Sequence, residues 1–309
     1  MVSYFDIINV GLFAATLRMA TPLIFASLGG IFSERAGIIN IALEGMMLTG
    51  AFTGVFVTYS VGNPWLGVIA AILAGGLLGL VQGIITIKFA GDQIVSGTGI
   101  NIFALGFTAY MSQIVWGSRG GSGPISQGLE TVSIPLLADI PLIGEIIGKQ
   151  TLLVYIALIA VIVSYLILFK TPWGIRIRAV GEHPAAADTA GVKVYRTKYF
   201  CVIASGMLAG LGGAFLSLGH VNLFRNGMTA GRGFIALAAM ILGGWSPLGA
   251  FGSSLFFGFA DALQIRLQSI GALPSQIVLT LPYILTIVVL AIFARRRIAP
   301  SDYKPYEKE

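Results

Sequence analysis

Residues Ala36–Gly50 read AGIINIALEGMMLTG, and residues Ala230–Gly244 read AGRGFIALAAMILGG. The two stretches agree at Ala36/Ala230, Gly37/Gly231, Ile41/Ile235, Ala42/Ala236, Leu43/Leu237, Met46/Met240, Leu48/Leu242 and Gly50/Gly244, while Glu44 gives way to Ala238. Composition decides what such apolar text is for. Apolar residues make up 56% of the 309 and charged residues only 10%, against about 25% charged in soluble domains. Folded in water, such a chain would expose apolar surface and precipitate. The reading is an all-α integral membrane protein, expected to cross its membrane several times.

The remaining composition removes other classes. The net charge is +6, but the basic residues lie in short segments between apolar runs, as in the cytoplasmic loops of membrane proteins. No basic–aromatic pattern points to nucleic acid. Cys201 is the single cysteine, and the two histidines, His183 and His220, are far apart, so neither a disulfide nor a metal site is expected. The start MVSYFDIINVGLF carries Asp6 and no early Lys or Arg; the first apolar run is expected to be retained rather than cleaved.

A spanning helix needs about 20 mostly apolar residues. About nine apolar segments qualify: 7–31, 38–60, 65–88, 94–116, 151–169, 199–219, 233–245, 248–267 and 276–294. The seventh is short and ends in Gly243–Pro247, GGWSP. Residues 233–267 therefore form either a thin span and a full one or a re-entrant hairpin, which gives seven to nine spans. The segment 171–198 and the residues Arg295, Arg296 and Arg297 are basic, so both are expected on the cytoplasmic side. The segment 117–150, with Glu130, Asp139 and Glu145, is expected outside. An N-out, C-in chain satisfies both. The repeated stretches then run antiparallel, as in an inverted-repeat bundle with its substrate path between the halves.

The segment 171–198 carries a short helix signal. Pro184 suits a first helical turn, Ala185, Ala186 and Ala187 favour helix, and Gly191 suits its end. Alanine buries little apolar surface. The helix reads better as a docking knob for a cytoplasmic partner than as a lipid-surface anchor, the role Arg176 and Arg178 would otherwise serve. RAVGEHPAAADTAGV (Arg178–Val192) resembles the cytoplasmic loop of permease subunits of bacterial ABC importers for simple sugars, nucleosides and branched-chain amino acids. GGIFSERAGIINIALEGMMLTGAF (Gly29–Phe52) resembles that family's first motif, and GFIALAAMILGGWSPLGAFGSSLFFGFADAL (Gly233–Leu263) its C-terminal one. The pattern Phe32, Glu34, Arg35, Gly37, Asn40, Glu44, Gly45 is most similar to permeases for nucleosides; His183 stands where many relatives have Asn.

The resemblance implies a single permease domain over 1–309, with 171–198 as its coupling loop and 117–150 as its extracytoplasmic loop. Gly181, Glu182, His183, Pro184, Ala185, Ala186, Ala187 and Gly191 would then meet a separate ABC ATPase subunit. It also implies a second homologous permease subunit, an extracytoplasmic substrate-binding lipoprotein and a small-molecule substrate. No cofactor is expected on this chain: GxxxxGK[ST] is missing, since in the segment 147–150 (IGKQ) Gln150 follows the Gly-Lys pair and Ile143 stands at the first glycine position. ATP would be handled by the partner.

Within the spans, Asn40 and Glu44 lie four apart, on one face of a helix. Buried ionisable groups face protein or a wet cavity. Glu44 either lines the path with Asn40 or pairs near the cytoplasmic end with Arg35 or a neighbouring backbone. Gln82, Asn101 and Gln113 are further path candidates, and interhelical hydrogen bonding is an equal role for them. Arg18, Asp261 and Arg266 also fall within or near apolar runs. An ion-driven carrier remains the alternative class, although buried carboxylates for coupling are sparse. No HExxH or GxSxG marks an enzyme.

Overall fold

The computed structural model describes residues 9–125, 127–133 and 143–270, and residues 280, 284, 285, 287, 288, 291, 303 and 306. Its helices are α1 (Val10–Arg35), α2 (Leu43–Val61), α3 (Pro64–Gly83), α4 (Gln93–Trp116), α5 (Ile143–Ile146), α6 (Leu152–Lys170), α7 (Pro172–Glu182), α8 (Pro184–Thr189), α9 (Val194–Ala214), α10 (Arg232–Leu242) and α11 (Pro247–Ile270). Wider π turns extend α3 through Ile84–Lys88 and α9 through Phe215–Val221. A two-stranded antiparallel ladder joins β1 (Thr131–Ser133) to β2 (Lys149–Thr151), with Thr131 opposite Thr151.

Local chemistry sets the helix starts. Asn9 accepts the Leu12 N–H at 3.2 Å to open α1. Asn63 accepts the Trp65 N–H at 2.9 Å ahead of Pro64 in α3. The Asp92 carboxylate accepts two N–H groups, from Ile94 and Val95, both at 2.8 Å, to open α4. These are N-cap contacts, which satisfy helix donors that have no partner within the helix.

Among the described residues, six helical stretches are long and apolar enough to cross a membrane: Val10–Arg35, Pro64–Lys88, Gln93–Trp116, Leu152–Lys170, Val194–Val221 and Pro247–Ser269. Helix α2, with 19 residues, falls outside this set, and α10 has only 11 residues. At about 1.5 Å per residue, α10 covers roughly half of an apolar core about 30 Å thick.

The described ends sort onto two faces. On one, the basic face, Arg35 bonds the Trp245 carbonyl and Gly37 bears on Gly181, beside α7 and α8. On the opposite face, Arg266 meets Asn9 at 2.6 Å, Gly62 lies by Gln127, and the backbones of Ser122 and Ile125 bond Phe224 and Asn222.

Helix α1 packs on α11, α9 packs on α3, and α1 and α9 pack on each other at the centre. Helix α2 lies against α3 and α9, and α10 against α1 and α11. The α3–α9 seam is backbone on backbone. A Cβ on Gly79 would stand 2.6 Å from the Val202 carbonyl oxygen, and Gly75 meets Gly206 as closely. Small residues allow this approach in membrane helices. Gly79→Leu is expected to destabilise the bundle by at least about 1–3 kcal/mol, the usual cost of overpacking, seen as a lower thermal midpoint in detergent.

Several boundaries differ from the sequence reading. The segment 38–60 is helical only from Leu43, because Gly37 is left-handed (φ +83°) and Asn40 accepts the Ala42 N–H at 3.1 Å, holding the linker open. Asn40 and Glu44 therefore do not share a helix face. The sixth segment starts at Val194, so the end of 171–198 is already helix, and α7 occupies its beginning. Most of the segment 276–294, Arg295–Arg297, Asp139 and the Glu145 side chain lie outside what is described.

Candidate functional site

Two helix N-termini converge near the middle of the bundle, and neither is capped by its own residues. Helix α2 is capped from α4: Asn101 Oδ1 accepts the Gly45 N–H at 2.8 Å, and its Nδ2 donates to the Ile41 carbonyl at 3.0 Å. Helix α10 is capped from α2: the Glu44 carboxylate accepts the N–H groups of Gly231 at 2.8 Å and Gly233 at 2.7 Å. A carboxylate at this position answers the partial positive charge of a helix N-terminus. The caps thus run from α4 to α2 to α10. Asn40 closes the junction by donating to Ser205 Oγ at 2.8 Å, near the midpoint of α9. Asn40 is fully buried, and Glu44 and Asn101 are half-buried.

Of the five path candidates, the structure brings Asn40, Glu44 and Asn101 together. Gln82 is buried nearer the basic face, where Nε2 donates to the Gln93 carbonyl at 3.3 Å and Oε1 accepts from Ser96 at 3.2 Å, tying α3 to α4. Gln113 is exposed at the far end of α4, its Nε2 on the Gly117 carbonyl at 3.1 Å. Glu44 does not pair with Arg35, whose Nε donates to the Trp245 carbonyl at 3.0 Å. Asp261 pairs with Arg232 at the start of α10, at 3.7 Å.

One cluster escaped the sequence reading as a site. Glu34 is 5% exposed, and its Oε2 accepts Trp245 Nε1–H at 2.5 Å and the Tyr303 hydroxyl at 3.0 Å. Trp245 takes a left-handed backbone (φ +50°) in the turn joining α10 to α11. The motif GGWSP marked the turn, but nothing local named Glu34 as its partner. Trp245→Phe removes a donor from a buried carboxylate. The expected loss is about 1.5–3 kcal/mol, measurable as reduced thermal stability, with Tyr303→Phe additive only in part because both bond one oxygen.

The loop helix forms where the sequence placed it, as α8. Glu182, His183, Ala185, Ala186 and Gly191 are exposed and Pro184 is half-buried, whereas Ala187 is buried with Val180 and Val194. His183 makes no side-chain cap. Gly181 is buried against the Arg35–Gly37 turn; a Cβ there would come 3.2 Å from the Gly37 amide nitrogen. The loop thus bears on the turn that leads, through the linker and Asn40, into α2 and Glu44.

A bundle with a half-length helix and a buried polar junction at mid-depth is the build of a membrane transport protein. The chain belongs to the family described as branched-chain amino acid transport system / permease component, whose model matches residues 12–290. It is 44% identical over 305 residues to the guanosine ABC transporter permease protein NupQ of Bacillus subtilis, covering 95% of each chain. It is 40% identical over 298 residues to the nucleoside ABC transporter permease protein NupC of Lactococcus lactis, covering 93% of each. A putative glucose ABC transporter permease, TsgC13 of Haloferax volcanii, is 37% identical over 307 residues, covering 91% of each. Each of these organisms has a second, more distant permease among the matches. No solved structure matches the chain. The chain is therefore a transport component rather than an enzyme, and the family is a different class from the ion-driven carrier.

Proposed function

We propose that this chain is the permease subunit of an ATP-driven importer of nucleosides, forming half of the path and coupling to a separate ATPase that holds the ATP. The observation that carries the site is the Asn101–Glu44–α10 junction, where two helix N-termini meet beside a half-buried carboxylate. Its position near the midpoint of α9 suits a path between inverted halves. The packing supports such halves: exchanging α1 with α9 and α11 with α3 turns the α1–α11 pair into the α9–α3 pair. Gly37 (φ +83°) and Gly231 (φ +81°) open both copies of the repeated motif with the same left-handed turn.

Adding α2 and the 222–242 segment to the six long helices favours seven to nine spans in one permease domain. The basic residues of 171–198 favour a cytoplasmic basic face, which places 117–150 outside and leaves the chain N-out and C-in. Exposed Ala185 and Ala186 would enter the ATPase, with Glu182, His183 and Gly191 at the rim. The more distant permeases of the same organisms favour a second, homologous permease as partner, and Glu130, exposed on the opposite face, suits contact with a substrate-binding lipoprotein. The nucleoside assignment rests on NupQ and NupC; TsgC13 favours sugar as the second reading.

Uptake of labelled guanosine should disappear in cells lacking this chain and return when it is supplied, with unlabelled nucleosides competing and glucose and leucine failing to compete. Unchanged guanosine uptake, with other nucleoside carriers deleted, overturns the nucleoside reading. Competition by glucose replaces it with the sugar one.

A further inference from the structure

Beside the loop helix lies a groove of about 420 Å³ lined by Trp173, Arg176, Ile177, Lys193, Arg196 and Thr197. It sits where α6 and α9 both end at the basic face, joined by α7 and α8. Three cations line it and no carboxylate does. Their side chains have no hydrogen bond or ion pair within the described residues, although Arg178 nearby is engaged by the Gly174 carbonyl and the Phe169 ring. Unpaired cations converging on one cavity are an anion site in electrostatic terms.

The apolar part of the groove identifies the anion. Trp173 meets Phe200 edge to face, with centroids 4.9 Å apart and planes at 76°. Both residues are about half exposed, 49% and 50%. Phe200 stands six residues into α9, about 9 Å along a spanning helix. The cationic rim is therefore continuous with an apolar surface that runs into the membrane. Helix α7 is split accordingly: Gly174, Ile177, Val180 and Gly181 face the bundle, and Trp173, Ile175 and Arg176 face outward. An acidic peptide would satisfy the rim and leave the aromatic pair uncovered. A lipid with an anionic headgroup satisfies both, its acyl chain lying over Phe200.

We propose that this groove binds the phosphodiester headgroup of an anionic membrane lipid, held by Arg176, Lys193 and Arg196 with Trp173 and Phe200 seating the chain. Gly191 and Ala190 also line the groove, so lipid occupancy would brace the loop helix from its outer side. The proposal rests on the membrane location of the chain and holds whichever solute is carried.

The test uses the full-length chain purified in mild detergent with whatever subunits it retains, and native mass spectrometry to count bound phosphatidylglycerol. The wild type should keep this lipid. The triple variant Arg176→Gln, Lys193→Gln, Arg196→Gln should lose at least about tenfold in retention, since each basic residue near an anionic surface is worth roughly a fivefold gain. Arg119→Gln with Arg225→Gln, on the opposite face, should retain lipid as the wild type does.

Glycerol phosphate, which carries the phosphate without chains, should not displace the lipid; displacement at matching concentration would make this a free-phosphate site and overturn the lipid seat. Equal retention by the triple variant overturns it as well, as does lipid retention with loss of an accompanying ATPase, which would make the groove part of a protein interface. If the triple variant does not yield a monodisperse chain, Lys193→Gln and Phe200→Ala are read singly. Each should lower retention severalfold, and wild-type retention by both rejects the site.

Discussion

Ala185→Arg combined with Ala186→Arg should reduce uptake by about a hundredfold while leaving the chain in the membrane at its normal level. Both alanines are exposed on α8, so the monomer has room for the longer side chains. A partner packed against small residues does not: overpacking costs roughly 1–3 kcal/mol per site, and an unpaired charge held in an interface adds to it. The neighbouring Ala187 supplies the contrast. It is buried with Val180 and Val194, so Ala187→Glu should break the loop itself and lower thermal stability, whereas the double arginine variant should unfold as the wild type does. Co-purification of the ATPase is the second readout. Normal ATPase association with the double variant would remove α8 from the docking surface, however the uptake behaves.

That division between Ala186 and Ala187 marks how far the sequence can be read. Pro184, the alanine run and Gly191 are local signals, and the helix they announce is present at Pro184–Thr189. Helix α7 was missed although its signal was there. Gly174, Ile177, Val180 and Gly181 recur at helical spacing and form its buried side, but the interleaved Arg176 and Arg178 made the segment look like a charged loop.

The six long apolar helices were legible because apolar length is additive along the chain. Their starts were less so, since tertiary contacts move them: Asn40 is drawn to Ser205 and keeps Ala36–Ala42 out of α2. The partners of Glu44 and Glu34 lay beyond any local rule, because each bonds groups roughly two hundred positions away. The change from Glu44 to Ala238 between the repeated stretches now has a physical reason. The first copy lends its carboxylate to the helix built by the second, which needs no such group of its own.

Glu44→Ala should be the most damaging single change at the junction, bringing uptake close to background. It strips the acceptors from two backbone N–H groups near mid-depth, each costing about 1–3 kcal/mol when left unsatisfied, and removes the charge that complements the α10 N-terminus. Glu44→Gln keeps one carbonyl oxygen for one N–H but turns an NH₂ group, itself a donor, toward the other, so its uptake should fall between the wild type and alanine. Gly233→Ala separates charge from geometry. Its Cβ would stand 2.5 Å from the Glu44 amide nitrogen and 2.6 Å from Glu44 Cα, so it should push α10 from α2 with the carboxylate intact. If Glu44 acts only as a cap, Glu44→Ala and Gly233→Ala should lose uptake in proportion to lost thermal stability. If the carboxylate also meets the solute, Glu44→Gln should raise the apparent KM for nucleoside beyond what its stability loss explains, and Gly233→Ala should not. Wild-type uptake and stability in Glu44→Gln would show that neither the charge nor the second acceptor matters, and the junction would lose its claim to the path.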